Sequence, residues 1–556
     1  MIATVLGLSL VATLVLVAVT AVNGDSHLTS RDLVQKKAYE AAKAGIDDYA
    51  YHLHANNSYW TSCANVTGPT AVNLKGETKN RLTVPGDPSS EYAIELLPST
   101  SQSTYQQCDE NHATESMLQT IDPLKGTFRI RSTGYAGTAE ESIVATFKPA
   151  SFLDYVYFTQ RETADPVTYG TTSMVEAAEK QCSKTIAEKR QENEILSGKG
   201  YCSVIRFVTG DFINGPMHTN DAFVICGSPK LGGSAADPIE ASGPPPGWFS
   251  EKEIPHSSKC VGSDTNFEGT LAANSAVLTP PASNGELSTI AEPQFRFKGQ
   301  VRICLSGESM TVMPFGTTAT CANPPAVPIY SGQIPGNGVV YVESGTCPLN
   351  TYTPFNISYA ITAENAECGN AYVEGTYSGK LTIATYNDII ITGSLCAESC
   401  GNSVPLPGEA VLGLVANNFV RIYHPVELKH PLTLCEWKIV NGKWKEVCVE
   451  DTSKPLECTG NAPGALNGVT IDAAILAIIH SIIVDNYNCG AQLGTLTVNG
   501  ALAQKYRGAV GTGNGGGAGT GYLKSYNYDS RLRYIEPPSF IAPQKTAWVI
   551  GRETLD

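Results

Sequence analysis

The side chains able to do acid–base, nucleophilic or metal chemistry are few and scattered. His218-Thr-Asn-Asp221 joins a histidine to a carboxylate. It follows Gly215-Pro216 and precedes a strand-like run, where Asn and Asp ordinarily form Asx turns, so a turn is its expected role. His424 and His430 each stand before a proline beyond a strand end. They could offer two imidazoles to a metal, but exposed loop histidines are the commoner case. His480 lies in the apolar run Ala473–Ser481, shortly before Asp485, and reads as a core histidine with a satisfied partner. Asp485, Lys505, Arg507 and Asp529 could meet on one face, as paired acids do in sugar-cleaving enzymes. No spacing forces them together, and a salt-bridged surface is the expected outcome. The glycine-rich stretch Gly508–Gly521 lacks the lysine of a phosphate-binding loop and reads as a flexible surface loop. GxSxG, HExxH and calcium-loop patterns are absent from the sequence. No catalytic, cofactor-binding or metal-ligating set emerges, and a non-enzymatic protein is expected.

The cysteines carry the clearest chemical signal. Sixteen are spread along the chain in loose couples. They are Cys63 with Cys108, Cys182 with Cys202, Cys226 with Cys260, Cys304 with Cys321, Cys347 with Cys368, Cys396 with Cys400, Cys435 with Cys448, and Cys458 with Cys489. An even count without paired CxxC knuckles suits disulfides rather than zinc, with the connectivity left open. An oxidised framework places the body outside the cytoplasm.

Composition narrows the class further. The chain has 556 residues, 42% hydrophobic and 16% charged, with a net charge of −15. That is too long for one core and apolar enough to fold, and the acidic body should repel nucleic acid and anionic lipid, with no basic patch to offset it. Abundant Gly and Pro, with Tyr exceeding Phe, suit short strands and turns.

Positioning begins at the amino terminus. Met1–Val22 is an uncharged apolar run, long enough at ~1.5 Å per residue to cross a ~30 Å hydrocarbon layer. It can be a signal peptide cut near Val19-Thr20-Ala21, a permanent anchor, or the apolar half of a longer helix. Arg31, Lys36 and Lys37 follow the run and by charge alone would keep the body inside, but the cysteines outweigh them. Residues 26–55 lack proline and place Ala38, Ala42, Ile46, Tyr49 and Leu53 on one helical stripe. Thr29 or Ser30 can cap the start.

An apolar run leading into an amphipathic helix and then a β-rich domain is the build of a type IV pilin. Ala38-Tyr-Glu-Ala-Ala-Lys-Ala-Gly45 resembles the AxxAAEAG stretch of minor pilins of the PilX kind. The resemblance implies close helix packing through Ala38, Ala41, Ala42, Ala44 and Gly45, with other pilins or pilus assembly proteins and a membrane as partners. It also implies a single-pass membrane protein at the cell surface.

The expected organisation follows. Residues 1–55 form the transmembrane and amphipathic helix, 56–170 a pilin-like β head, and 171–200 a charged helical insertion. Residues 201–525 form a β-solenoid-like body and 526–556 a carboxy-terminal cap. The fold class is mainly β. Runs such as Leu381–Leu395 and Leu412–Pro425 favour a right-handed β-helix, with a sandwich as the alternative. Two other functions compete with the pilin-like one: a polysaccharide-active enzyme on a β-helix, and a secreted structural protein released by signal cleavage.

Overall fold

The computed structural model describes residues 31–53, 59, 81–97, 121–122, 127–149, 151–169, 172–185, 202–250, 266–315, 320–325, 327–347, 366–514, 517–533, 535–543 and 548–554. It is mainly β, with a helix at the amino-terminal end. The apolar run Met1–Val22, expected to cross a membrane, lies outside the described residues. Among those described, no helix is long and apolar enough to do so. The chain divides into two units, Met1–Ala150 with Lys545–Asp556, and Ser151–Gln544.

In the first unit, α1 (residues 31–53) forms where the 3.6-residue stripe requires it. Its partner is an antiparallel sheet in the order Leu82–Val84, Asp87–Leu97, Thr127–Ala136, Ala139–Pro149, Trp548–Thr554. Ala42, Ile46, Tyr49 and Leu53 of the helix are buried in one cluster with Tyr92, Ile94, Ile130, Ile143 and Phe147 of the sheet. Each such large side chain contributes roughly 1.5–3 kcal/mol on burial. Trp548–Thr554, placed by sequence in a carboxy-terminal cap, is instead the edge strand of this sheet. Its pairing partner, Ala139–Pro149, lies hundreds of residues away in sequence.

The second unit is built from stacked parallel strands. One ladder runs Arg296–Lys298, Val339–Glu343, Lys380–Thr385, Val411–Ala416, Val469–Ala477, Gln492–Tyr506, Tyr157–Arg161, Met217–Thr219, Pro238–Ala241 and Thr270–Ala272. A second runs Val301–Gly307, Ala371–Tyr377, Ile389–Ala397, Val469–Ala477, Gln492–Tyr506, Gly517–Tyr528, Phe212–Asn214, Lys230–Leu231 and Asn266–Phe267. Ile389–Ala397 also stacks on Val420–Ile422, and that strand on Ile482–Val484. Inward side chains form one apolar core, among them Ile213, Ile239, Ile303, Val373, Ile391, Leu412, Ile471 and Val498. Asparagines stack at one bend: Asn387 donates to Asn370 Oδ1 at 2.7 Å, and Asn418 donates to Asn387.

Spatial order and chain order differ. The chain enters mid-ladder at Tyr157 and winds out to Thr270–Ala272. It then crosses the stack and restarts at Arg296, winding back until Gln492–Tyr506 pairs with Tyr157–Arg161. Residues 273–295 make the crossing as a strap. Ser275 N donates to Ala241 O at 3.0 Å, and Leu278 N to Asn220 Oδ1 at 3.0 Å. Fully buried Asn284 donates its amide to Thr385 O (2.8 Å) and Val415 O (2.9 Å), and its backbone N–H to Asn417 Oδ1 (2.8 Å). It accepts from the Tyr341 hydroxyl at 3.1 Å.

Among the described residues six disulfides join sequence-adjacent couples: Cys182–Cys202, Cys304–Cys321, Cys347–Cys368, Cys396–Cys400, Cys435–Cys448 and Cys458–Cys489. Cys63, Cys108 and Cys260 lie outside the described residues. The described part of the expected insertion, residues 172–185, is mostly the helix Thr172–Cys182. The glycine-rich stretch is not a free loop. Gly511–Asn514 pairs antiparallel with Gly517–Tyr528, and a Cβ on Gly511 would fall 2.3 Å from Thr520 O, so glycine is what permits the approach.

At the seam between the last and first turns, Arg507 Nη1 donates to Glu162 Oε2 at 3.0 Å, and both side chains are almost wholly buried. Nη1 also donates to Ile205 O at 2.8 Å and Nη2 to Arg206 O at 2.9 Å. Arg507→Met should lower stability by about 3–5 kcal/mol, because Glu162 is left buried without its cation. Arg507→Met/Glu162→Gln should recover part of that loss. Denaturant unfolding of the two variants checks both expectations.

Candidate functional site

The outer surface of the second ladder carries a cavity of mixed chemistry. Val301, Ile303, Ala371 and Val373 point into the core, so alternation turns Arg302 and Tyr372 outward. An irregularity in register between Val373 and Gly375 marks where the strand bends toward Glu374. Arg302, Phe315, Tyr372, Glu374, Thr392 and Tyr423 are among the residues lining a groove of about 690 Å³. The Cys304–Cys321 disulfide holds its far wall at Thr320–Ala322.

Inside the groove, the Phe315 ring stacks on Tyr372 with centroids 3.4 Å apart and planes 7° apart. The Arg302 guanidinium sits 5.2 Å from the Phe315 centroid. Its Nη1 donates to Glu374 Oε1 and Thr392 Oγ1, each at 3.3 Å, while Nε is buried without a partner. The Tyr372 hydroxyl donates to Gln300 Oε1 at 3.3 Å, and burial pushes its pKa up to about 12. Cys304, Cys321 and Glu374 cluster closely enough to suggest a cation site, but both sulfurs are in a disulfide and offer no thiolate. The same holds for Cys435, Glu446 and Cys448. The groove therefore presents ring faces, one guanidinium, one carboxylate and hydroxyls. Such a set is chemically suited to a polar molecule that offers a ring face or hydroxyls. Among the described residues of the lining Glu374 is the sole carboxylate, whereas glycoside hydrolysis ordinarily uses two.

The residues singled out by sequence are held apart. His218 has Glu240 Oε2 2.9 Å from Nδ1 and Asn220 Oδ1 3.1 Å from Nε2, while Asp221 accepts from the backbone of Glu162 at 3.1 Å. Because Asn220 also holds Leu278, this segment fastens the strap rather than forming a catalytic pair. His424 is fully buried between Asp485 O and Asn461 Oδ1, each 3.0 Å away, whereas His430 bonds Lys454 O at 2.7 Å on an exposed loop. His480 stacks on Phe419 (4.5 Å, 6°) and bonds Asp165, not Asp485. Ser481 Oγ donates to the same Asp165 at 2.9 Å, so the acid stands between the serine and the histidine, unlike a catalytic triad, where the histidine is central. Asp485 pairs with Arg421 at 3.0 Å, Arg507 with Glu162, and Asp529 with Arg531 at 2.8 Å. Lys505 is half-buried, and desolvation lowers its pKa.

The small residues of α1 are placed clearly. Ala38, Ala41 and Ala42 are buried, and a Cβ on Gly134 would lie 2.0 Å from Ala38 O and 2.3 Å from Ala42 N. A Cβ on Gly45 would meet Ser132 Oγ at 2.3 Å and Tyr92 at 2.7 Å. Four of the five therefore face the sheet of their own chain, and Ala44 is half-buried. Sequence reading missed the groove. Its members are separated by dozens of residues, and the available signal was polar and aromatic side chains at the outward positions of Val301–Gly307 and Ala371–Tyr377.

For Tyr372 the folded value of about 12 lies above the ordinary value of 10.0. Its stabilising contribution is complete below pH 10 and is lost as pH rises through about 12. Phe315→Ala should re-wet the ring and bring the Tyr372 titration down toward 10.0, visible as earlier phenolate absorbance in a difference titration.

No protein-family model matches the chain, and no curated protein does. Among solved structures the chain is similar to the crystal structure of the competence-associated pilin ComZ from Thermus thermophilus, at 12% identity and a TM-score of 0.25. The match covers 94% of this chain and 98% of that one. At this TM-score the likeness carries no argument about the present chain.

Proposed function

We propose that the chain is a pilin-like cell-surface protein that acts by assembly and binding rather than by catalysis. In this reading Met1–Val22 anchors it in a membrane, and α1 enters a type IV pilus-type assembly as a minor or tip subunit. The second unit, a right-handed β-helix, is displayed as an adhesive module. The observation that carries the reading is the fit of Ala38–Gly45 against an antiparallel sheet, where glycine at 134 lets the helix backbone lie directly on the strand. A helix whose small residues already face its own sheet keeps its other side for neighbours. That side carries Leu33, Tyr39 and Tyr51, exposed by 58%, 40% and 69%. The disulfides support an extracytoplasmic body, the stacked parallel ladders support the β-helix, and the groove's single carboxylate favours binding over sugar cleavage.

Terminal sequencing of the protein recovered from the cell surface tests the anchor. Retention of the apolar run is expected; a chain beginning near Val22 would overturn it. The assembly half is tested by Leu33→Glu with Tyr51→Glu, which leave the helix–sheet core intact. These variants should fold, keep their thermal transition within ~0.5 kcal/mol, and drop out of filaments. Undiminished incorporation would sink the assembly role. Gly45→Leu is unsuitable for this test, because it collides with Ser132 and Tyr92 and should destabilise the head itself by about 1–3 kcal/mol.

A further inference from the structure

The groove at Arg302 and Tyr372 lies where the strand ladder is interrupted. Val373 pairs with Ile391 and Gly375 with Leu395, so Thr392, Gly393 and Ser394 all stand opposite Glu374. Extra residues of this kind bend a strand and re-aim the side chains beside it. Gly393 adjoins the Glu374 side chain. A Cβ there would fall 2.6 Å from Glu374 Oε2 and 3.0 Å from its Cβ, so the carboxylate occupies space that glycine leaves open. Above it, the Phe315 ring covers Tyr372, which is 6% exposed. Phe315 is itself only half-buried, so of these two rings it is Phe315 that faces the groove.

Arg302 and Glu374 use only part of their hydrogen-bonding capacity on each other. Arg302 Nη1 donates to Glu374 Oε1 and Thr392 Oγ1, and its Nε is buried without a partner. Among the described residues, Arg302 Nη2 and Glu374 Oε2 have no hydrogen-bond partner either. Arg302 is nevertheless 9% exposed, so its guanidinium is held below the surface rather than dissolved in water. A fixed donor and a fixed acceptor thus stand side by side next to a ring. A hydroxyl group both donates and accepts, which is what such a pair takes. An anionic group fits less well. Among the described residues of the lining Arg302 is the sole cation, and Glu374 already neutralises it. A polyanion is further opposed by a chain of net charge −15.

We propose, resting on the reading of the second unit as a binding rather than a catalytic module, that this groove takes a neutral hexopyranose unit of a glycan chain. The C–H face of the sugar lies on Phe315, where weakly positive hydrogens meet the negative face of the ring. A ring hydroxyl donates to Glu374 Oε2 and accepts from Arg302 Nη2. A cavity of about 690 Å³ has room for one such ring and part of its neighbours. Thr320, Ala322 and Gly464 at its rim are exposed, so a chain that continues beyond the bound ring can leave the groove.

The test is saturation-transfer difference NMR on the full chain held in phosphatidylcholine nanodiscs. Maltohexaose, cellohexaose, mannohexaose and galactohexaose are the neutral probes; hexagalacturonate and adenosine monophosphate are the anionic ones. Transfer to the ring C–H protons of at least one neutral hexaose is expected, with an apparent Kd of ~1 mM or tighter. The anionic probes should respond far less. Phe315→Ala and, separately, Gly393→Ala should each weaken binding by about tenfold. Gly393→Ala keeps every polar group and displaces the Glu374 carboxylate, and a retained thermal transition shows that each variant is folded. No transfer from any neutral hexaose by the folded chain, stronger transfer from an anionic probe, or binding that neither variant weakens would overturn the proposal. Reducing ends are followed in the same samples. Their release would overturn the non-catalytic reading beneath the proposal, whereas intact sugar without transfer overturns the glycan site alone.

Discussion

The second unit depends on the seam where its last turn meets its first, and Arg507 with Glu162 occupies that seam. Parallel strands cannot be joined by a tight turn, so each pairing in the stack relies on chain that has travelled some distance. The pairing of Gln492–Tyr506 with Tyr157–Arg161 is the extreme case, since more than three hundred residues separate its partners. A contact of that span pays a large loop-closure entropy before any reward arrives. Apolar stacking alone would leave its register ambiguous. Tyr157, Thr159 and Arg507 all bond the Glu162 carboxylate, and burial raises the pKa of that acid while the guanidinium opposes the rise. A buried pair of this kind adds little net stability over an apolar replacement, but a shifted register leaves both charges stranded, so it penalises the wrong alignment heavily.

The strap answers the same topological requirement. A chain that begins in the middle of a stack must return past its own turns, and residues 273–295 do so over strand ends, where Asn284 bonds the carbonyls of Thr385 and Val415. Asn284 is suited to this because a carboxamide both donates and accepts, and here its side chain and backbone bridge consecutive turns. Asn220 does the same one stretch earlier, with His218 and Glu240 behind it. The polar residues that looked like chemistry in the sequence are therefore largely the fasteners of a long-range topology.

What could be read in advance follows from how local each feature is. Helix α1 was legible because its stripe is written within one segment, and the strands at Val339–Glu343 and Ile389–Ala397 were legible from their apolar runs. The cysteine couples were visible as neighbours in sequence, and the six described bonds join such neighbours. The order of strands in space was not legible, because nothing near Tyr157 names Leu502 as its partner. The pairing of Gly511–Asn514 was hidden for a different reason: glycine has no side chain to alternate, so a strand of glycines carries no period. The hairpin of Leu432–Val440 with Lys443–Glu450 did carry a signal, Asn441-Gly442 between alternating residues, but Trp437 and Trp444 beside lysines read equally well as core or surface until their exposure is known.

The distribution of charge in the body sets where it can meet a partner. Arg421 is taken by Asp388 and Asp485, Arg507 by Glu162, Arg531 by Asp529, and Lys524 by Asp211. Each of these cations lies mostly or wholly below the surface, with its acid within hydrogen-bond reach. A cation so neutralised contributes little field outside the molecule. Arg302 keeps one buried Nε unpaired at the wall of an aromatic groove, and Lys443 and Lys445 stand in solvent. Recognition depends on such local groups rather than on the net charge. The buried cations therefore serve strand register rather than partners, while Arg302 stands at a groove lined by aromatic rings.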